Sequence, residues 1–286
     1  DELWYVQQTI VLDREDLRLI GQFQTIAQTR YGVGQVSQQD VLKSQMELSM
    51  TSNELISLRQ QELSSKAMLM SILNRSELDT LGFAAIPEEF SFGANLDSLI
   101  SLALQTRPMI LHESVQVDEG KARLSLARQE YLPDFTIGLE RVTSPATGFN
   151  GWSVRAGITL PFAPWTLPRV SAGVEEAAAS VDVSRASYQT ARLMVIGRIK
   201  DLYYKADSFR RQLDLYRQAL LPQARQSLDL GLASYPTGRS DFLMLIDAYR
   251  TYVRTTKEYF LTRMNFEQTV ADLEFEIGSA WLSTAR

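Results

Sequence analysis

The sequence predicts a mainly α protein, in which long antiparallel coiled-coil helices carry one small β-hairpin. Three observations support this fold class. The helical patterns run far beyond the length of an ordinary globular helix, and apolar residues recur every seven positions within two of them. One segment, residues 133–161, instead alternates apolar and polar residues, which is the pattern of β-strands.

Helices are predicted over six ranges, which are 2–30, 37–75, 95–106, 108–131, 170–233 and 239–280. Most of the prolines fall where such helices should begin or end. Pro222 lies inside the fifth range, so we expect a kink or a break there. At ~1.5 Å per residue this range would measure on the order of 95 Å, a length that suits a conduit or a spacer rather than a compact globule.

Two of the helices carry seven-residue repeats. The repeated positions are Val41, Leu48, Leu55, Glu62 and Leu69 in one helix and Leu245, Tyr252, Tyr259, Phe266 and Leu273 in the other. A repeat held this long predicts left-handed supercoiling of packed helices. The positions three and four residues away from the repeated ones include Ser, Thr and Arg. This composition favours helices with one solvent-exposed side and one packed side. We expect the scattered carboxylates to lie on solvated helix faces.

The two helices and the turns before them also repeat one plan. At a shift of 204 residues, Tyr31 corresponds to Tyr235 and Gly34 to Gly238, and the two sets of seven-residue repeats coincide. Each copy predicts a helix, a Tyr-x-x-Gly turn and a second helix. The glycine of each turn supplies the positive φ that closes a helical hairpin.

The alternating segment predicts two strands of about ten residues, close to the ~9–11 residues that a tilted strand needs to cross a bilayer. An isolated two-stranded hairpin is barely stable in water, whereas a closed oligomeric barrel leaves no open edge. We therefore predict a membrane-spanning hairpin, although an ordinary hairpin on a soluble domain shows the same alternation. The residues expected at the membrane interfaces are Tyr131, Trp152, Phe162 and Trp165, and those expected to face the water-filled lumen are Glu140 and Arg155.

Composition excludes several classes of function. The 286 residues have a net charge of −5, which argues against nucleic acid as the main partner because phosphate binding needs a basic surface. There is no cysteine and one histidine, His112, so a disulfide scaffold, a thiol nucleophile and a Cys/His zinc site are excluded by count. We expect no enzyme activity, no cofactor and no metal site.

Several short motifs follow one another in a specific order and spacing. They are Arg30-Tyr31-x-x-Gly34, Arg107-Pro108, Leu132-Pro133-Asp134, Gly157-Ile158-Thr159-Leu160-Pro161-Phe162, Leu221-Pro222-Gln223-Ala224 and Tyr235-Pro236-Thr237-Gly238-Arg239-Ser240-Asp241-Phe242-Leu243. Together they resemble the TolC-like outer-membrane efflux proteins, and the resemblance covers nearly the whole chain. The run Pro161-Phe162-Ala163-Pro164-Trp165 is similar to members linked with heavy-metal efflux pumps.

The resemblance implies an α-barrel protomer whose hairpin contributes to a trimeric transmembrane β-barrel. It implies a passive exit duct of a tripartite efflux system or a type I secretion system, with small molecules, drugs or metal ions as cargo. The implied location is the outer membrane of a Gram-negative bacterium, with a large periplasmic part. The implied partners are two further copies of the chain in a homotrimer, a periplasmic adaptor, an inner-membrane pump and outer-membrane lipid.

The family pattern contains two repeats that each carry a β-hairpin, whereas this chain holds one hairpin. By that comparison, residues 1–85 form the helical hairpin of an incomplete first repeat and residues 86–107 a linker with a short equatorial helix. Residues 108–286 form the second repeat, with its membrane hairpin at 133–161 and its helical hairpin at 170–280. The opening Asp1-Glu2-Leu3-Trp4 reads as the middle of a helix, so we expect that an N-terminal portion is missing.

The resemblance also implies two functional regions at the turns. The aperture positions, where like charges and hydrogen bonds would form a threefold constriction, are Gln39, Asp40, Tyr235, Ser240, Met244 and Asp247. The positions that would dock the adaptor are Val33, Gly34, Gln35, Thr237, Gly238 and Arg239. Asp40 and Asp247 are equally well explained as solvated residues near a helix N-terminus, and the two glycines as plain helix C-caps.

Two other functions fit parts of the pattern. A periplasmic adaptor also carries a helical hairpin, but it would need β-segments flanking that hairpin, whereas here helices flank the strands. A structural coiled-coil spacer predicts neither the alternating segment nor the pair of Tyr-x-x-Gly turns.

Overall fold

The computed structural model describes residues 1–75, 81–86, 95–144, 146, 148–161 and 163–278. Its helices are α1 (Glu2–Gly32), α2 (Gln38–Ile72), α3 (Leu96–Thr106), α4 (Pro108–Gln129), α5 (Leu167–Leu215), α6 (Leu221–Ser234) and α7 (Phe242–Ile277). Its strands are β1 (Asp134–Ser144) and β2 (Phe149–Thr159), which pair antiparallel. The predicted mainly α fold with one β-hairpin is confirmed. Phe162, the linker residues 87–94 and the end of the last predicted helix lie outside the described residues.

The boundary between α3 and α4 follows from a proline. Asn95 caps the start of α3, where its side chain accepts a hydrogen bond from the backbone N–H of Asp97 at 2.8 Å. Arg107 ends α3 in an extended conformation, with φ −67° and ψ 122°, because the residue before a proline is disfavoured in the helical region. Pro108 then takes the first turn of α4, where its missing N–H costs nothing.

The break expected at Pro222 takes the form of a π-helical segment. Tyr216–Leu220 adopts this wider helix between α5 and α6, and Leu220 and Leu221 keep helical dihedral angles. Proline lacks an N–H and its ring crowds the carbonyl four residues earlier, which lies inside this segment. The extra width accommodates the ring, so the helical path continues through Pro222 instead of ending there.

The described residues belong to two compact units. The first is drawn from Asp1–Ala94 and Asp201–Leu273, and the second from Asn95–Lys200 and Glu274–Arg286. The first unit holds α1, α2, α6 and most of α7, and the second holds α3, α4, most of α5 and the β-hairpin. The division into repeats at residues 1–85, 86–107 and 108–286 rests on the sequence pattern and stays a prediction.

The core of the first unit joins the two copies of the repeated plan. Its main cluster contains Ile20, Phe23, Leu228, Tyr235, Phe242, Leu245, Ile246 and Tyr249. The rings of Phe23 and Tyr249 meet edge to face, with their centroids 5.8 Å apart. Leu55, Leu245, Phe266 and Leu273 from the seven-residue repeats are all buried, which agrees with a packed helical seam.

The second unit is closed where α3 meets the end of α7. Thr106 Oγ1 donates a hydrogen bond to the carbonyl of Ile277 at 2.6 Å, and Arg107 Nη1 donates to the carbonyl of Glu276 at 3.0 Å. Arg107 also forms an ion pair with the Glu276 carboxylate. Gly278 follows with φ 75°, and a Cβ there would lie 3.2 Å from the Cα of Arg107, so glycine is the residue that fits.

Within the described part of the chain, no helix is both long and apolar enough to span a membrane.

Candidate functional sites

The β-hairpin has one apolar face that is open to its surroundings. β1 and β2 pair over their whole length, from Asp134 opposite Thr159 to Ser144 opposite Phe149. This register puts most of the apolar residues of both strands on one face, whereas Val142 lies on the other. The most exposed residues of the apolar face are Ile137 (84%), Phe135 (76%), Val154 (74%), Leu139 (68%), Trp152 (67%) and Ile158 (56%). Large apolar side chains this exposed on one surface mark a face that contacts lipid or another protein.

The opposite face of the hairpin is polar. Glu140 and Arg155 lie diagonally across the two strands there, with 3.8 Å between a carboxylate oxygen and a guanidinium nitrogen. Near the loop, Arg141 lies 6.0 Å from the ring centroid of Trp152 on the apolar face. Tyr131 and Trp165 lie just outside the other end of the strands and are also exposed. Exposed aromatic residues therefore flank the apolar band at both ends, as in membrane barrels.

The hairpin is a two-stranded sheet, and the described residues add no third strand to it. Each strand therefore keeps one edge of backbone N–H and C=O groups without a ladder partner. A structural spacer would not carry such strands. A periplasmic adaptor would carry β-segments around one helical hairpin, whereas α4 and α5 flank these strands.

The two Tyr-x-x-Gly turns have the same geometry. In the first, the N–H of Gly34 donates to the carbonyl of Tyr31 at 2.9 Å, and Gly34 has φ 73°. In the second, the N–H of Gly238 donates to the carbonyl of Tyr235 at 3.1 Å, and Gly238 has φ 75°. The positive φ explains the glycine in each turn, because residues with a Cβ are strained there. The following helices begin at Gln38 and Phe242, which keeps the shift of 204 residues.

Arg30 joins the two turns. Its Nη1 donates a hydrogen bond to the carbonyl of Tyr235 at 2.6 Å, and its guanidinium carbon lies 5.1 Å from the Tyr235 ring centroid. Its Nε donates to Gln35 Oε1 at 3.4 Å. One arginine therefore contacts both copies of the repeated plan. The sequence contains it in the Arg30-Tyr31-x-x-Gly34 motif, but nothing in the motif indicates its partner.

Four of the six predicted aperture residues line one cavity of about 400 Å³ at the turns, and these are Asp40, Tyr235, Ser240 and Met244. Met244 is exposed, whereas Tyr235 is buried against Phe242 and burial raises the pKa of its hydroxyl. Gln39 and Asp247 are also exposed but lie outside the cavity lining. The side chain of Asp247 is thus accessible to solvent, whereas the ring of Tyr235 is part of the core.

The adaptor-docking residues predicted from the sequence form the outer surface of the same turns. Val33 is 66% exposed. Gly34, Gln35, Thr237, Gly238 and Arg239 are exposed as well. Thr237 Oγ1 donates to the carbonyl of Ser234 at 2.9 Å, which holds the second turn in place. The two turns therefore present a mainly solvent-facing, glycine-containing surface.

A buried ionic cluster lies in the first unit and was not predicted. Asp13 and Asp16 of α1 are 0% and 3% exposed, so the expectation that carboxylates lie on solvated faces is wrong for these two. Lys257 of α7 pairs with Asp13 and with Glu54 of α2, at 2.8 Å in each case. Buried charges need such partners because desolvation is costly. The signal was present in the sequence, since both aspartates interrupt the apolar stripe of α1.

The pKa values of both buried aspartates in this cluster are raised. Burial, and secondarily the negative charge of Asp13, raises the pKa of Asp16 to about 7. Burial also raises the pKa of Asp13, although the hydrogen bond from Lys257 opposes that effect. Asp16 therefore changes its charge near neutral pH, unlike an ordinary aspartate.

A two-faced β-hairpin set between long coiled-coil helices, with two matched helical turns in the same chain, defines the class of TolC-like outer-membrane efflux channels. The family model described as outer membrane efflux protein matches residues 99–279. The chain therefore belongs to the outer membrane efflux protein family. This match confirms the resemblance and the outer-membrane location that the sequence predicted, and the family consists of channels rather than enzymes.

Individual relatives agree with this assignment. The cobalt-zinc-cadmium resistance protein CzcC of Cupriavidus metallidurans is 22% identical over 241 residues, which are 82% of this chain and 54% of CzcC. The outer-membrane channel OprN superposes with a TM-score of 0.83 and 17% identity, over 98% of this chain and 64% of OprN. The outer-membrane protein VceC of Vibrio cholerae superposes with a TM-score of 0.81 and 14% identity, over 97% of this chain and 67% of VceC. The chain thus spans about half of CzcC and just under two thirds of OprN.

The raised pKa of Asp16 predicts how stability depends on pH. In the unfolded chain Asp16 loses its proton near pH 4, whereas the folded chain keeps it until about pH 7. This group therefore lowers the free energy of unfolding as pH rises through that window, by on the order of 4 kcal/mol in total. In Asp16→Asn this contribution is absent, so the variant should gain stability relative to the wild type as pH rises from 4 to 8.

The measurement is the difference in unfolding free energy between D16N and the wild type, from guanidinium titrations at pH 4.5, 6 and 7.5. Glu15→Gln is the matched control, because Glu15 is the exposed neighbour on the same helix. Its difference from the wild type should stay within about 0.5 kcal/mol. If the difference in unfolding free energy between D16N and the wild type does not change with pH, the pKa of Asp16 is not raised in the folded chain.

Proposed function

We propose that the chain forms part of a passive exit duct in the outer membrane, through which a tripartite efflux system or a type I secretion system passes small molecules or metal ions from a periplasmic pump to the exterior. The observation that carries this proposal is the hairpin of β1 and β2. It has an exposed apolar face, a polar face with Glu140 and Arg155, and strands of bilayer-spanning length. The chain has no catalytic role in this proposal, since the duct only guides its cargo.

The open strand edges support assembly of several copies. Unpaired backbone groups cannot remain in hydrocarbon, where each costs several kcal/mol. A homotrimer would let the hairpin of each copy find strand neighbours in a closed barrel. It would also pair the exposed apolar residues of α2, among them Leu42, Ile56 and Leu63, with neighbouring helices. The cargo class is open between organic compounds and metal ions. The name of CzcC, a cobalt-zinc-cadmium resistance protein, favours metal ions.

The membrane role of the hairpin predicts opposite outcomes for two adjacent positions. Ile137→Arg puts a charge on the apolar face, where it should cost about 2–4 kcal/mol per chain at mid-bilayer depth. Thr136→Arg puts the same charge on the polar face, which would line the lumen. I137R should therefore lose membrane insertion, whereas T136R should retain it.

Retention in the outer membrane after a carbonate wash is the measurement, with detergent-resistant oligomers as a second readout. Both positions are exposed in the single chain, so neither variant is expected to disturb folding before insertion. Equal retention of I137R and T136R would contradict a lipid-facing apolar side.

We infer that the carboxylates near the turns form a cation-selective aperture in the trimer, with Gln39, Tyr235, Ser240 and Met244 as its neutral members. Asp247 is exposed, and three copies around a threefold axis would make a ring of negative charge. Asp40 is half-buried beside the cavity at the turns and would add a second ring.

Asp247→Asn should therefore lower the preference of the pore for cations. The measurement is the reversal potential of the trimer in a planar bilayer under a potassium chloride gradient, which should move toward zero. Asp118→Asn, which removes an exposed carboxylate of α4, is the matched control and should leave the potential unchanged. If both variants keep the wild-type potential, Asp247 is only a solvated helix residue.

We also infer that the paired turns dock the helical hairpin of a periplasmic adaptor. Arg30 holds the second turn against the first, so a partner would meet both together. The glycines at 34 and 238 allow close backbone approach. Val33, Gln35, Thr237 and Arg239 would supply the side-chain contacts.

A charge at the centre of this surface should weaken docking. Val33→Asp is expected to reduce adaptor binding about tenfold, which corresponds to roughly 1.4 kcal/mol. Val183→Asp is the matched control, because Val183 is 67% exposed and Val33 is 66% exposed. The measurement is copurification of the cognate adaptor with each variant, and equal recovery with both would place the docking surface elsewhere.

A further inference from the structure

A cavity of about 370 Å³ lies between α1, α2 and α7 in the first unit. This volume is in the range of small-molecule sites. One part of its wall is ionic and includes Asp13, Asp16 and Lys257. Another part is apolar and includes Met50, Val253 and Leu261. The cavity belongs neither to the hairpin nor to the turns.

The ionic wall is only partly matched, since buried oxygens of both Asp13 and Asp16 lack a hydrogen-bond partner among the described residues. Lys257 pairs with Asp13 and Glu54, and Arg250 pairs with Glu47. Asp16 is 3% exposed and its Oδ2 has no hydrogen-bond partner among the described residues. A buried carboxylate oxygen without a partner is costly, so a donor placed in the cavity would be stabilised there.

The charges around Asp16 favour a cation. The titratable and charged groups near it are Asp13 and Glu15 on α1, Glu47 and Glu54 on α2, and Tyr249, Arg250, Arg254, Lys257 and Glu258 on α7. Carboxylates outnumber basic groups in this set, which disfavours an anion. No group of three metal-ligating side chains occurs in the described part of the chain, which disfavours a bare metal ion.

We propose that this cavity binds an amphipathic organic cation, whose ammonium group pairs with Asp16 and whose ring system lies against Met50, Val253 and Leu261. The carboxylate of Asp16 selects a positively charged ligand, and the apolar wall buries much of the surface of that ligand. The site is independent of the proposed duct, because it lies within a single chain.

The proton affinity of Asp16 supports the same site and adds a second readout. Its pKa is raised to about 7, so an ammonium ion must displace a proton from Asp16 below that pH. The apparent affinity for an amine that stays protonated over this range should therefore fall about tenfold between pH 8 and pH 6.

The test uses two probes that share one indole skeleton, namely tryptamine, which is cationic, and its neutral alcohol analogue tryptophol. Isothermal titration calorimetry is carried out on the purified full chain in detergent at pH 8, with detergent alone as the blank. Tryptamine should bind saturably with one molecule per chain, and tryptophol at least tenfold more weakly. Asp16→Asn should weaken tryptamine binding at least tenfold and remove its pH dependence. Asp118→Asn, which removes an exposed carboxylate of α4 away from the cavity, should keep both at wild-type values.

A second variant fills the cavity without changing its charge. Leu261→Trp should also weaken the binding of tryptamine. Because Leu261 is 40% exposed, the larger ring can be accommodated without unfolding the helices. Circular dichroism confirms the fold of each variant. Tryptophol binding as tightly as tryptamine, D16N binding tryptamine like the wild type, or no saturable binding to the wild type would each overturn the proposal.

Discussion

The two open edges of the β-hairpin are the constraint on which the function of this molecule depends. A strand pair with an exposed apolar face and unpaired backbone groups is stable neither alone in water nor alone in lipid. β1 and β2 pair through their backbones over their full length. Partners for the two outer edges and for the apolar face must come from outside the pair. In the proposed duct, further copies of the chain would supply the missing strand neighbours, and the helices on either side of the hairpin would have to fit the symmetry that closes the sheet.

The two helical hairpins repeat one structural plan. The turns at Gly34 and Gly238 share their φ values and their hydrogen bonds, although few residues are identical between the copies. What the copies share is a positive φ, a break in the helix and the phase of the buried positions. These are backbone and packing requirements, so different side chains can satisfy them.

The sequence predicted most of this architecture because periodicity reports directly on backbone geometry. The alternation in residues 133–161 gave both strands and their two faces, and the helix limits at Thr106 and Pro108 followed from proline chemistry. The form of the break at Pro222 could not be read in this way. A proline forces a rearrangement of nearby hydrogen bonds, but whether the helix bends, stops or widens depends on packing.

The site features that the sequence did not reveal are contacts between distant segments. Arg30 reaches the carbonyl of Tyr235, and Lys257 reaches Asp13 from another helix. A charged residue reads as solvated unless its partner is known, so Asp13 and Asp16 were placed on the wrong face. An interruption of an apolar stripe by two acids three residues apart is the pattern that could have indicated burial.

Several buried polar residues of α7 form bonds within their own helix. Thr256, Thr262 and Thr269 are buried, and each donates its hydroxyl hydrogen bond to a carbonyl four residues earlier in α7. Arg263 and Glu267, one turn apart on the same helix, form an ion pair at 2.7 Å. These intrahelical bonds give the three threonine hydroxyls an acceptor without a partner on another helix. In the proposed duct, α7 would pack on one side and face water on the other, with the hydroxyls of these buried threonines already bonded within the helix.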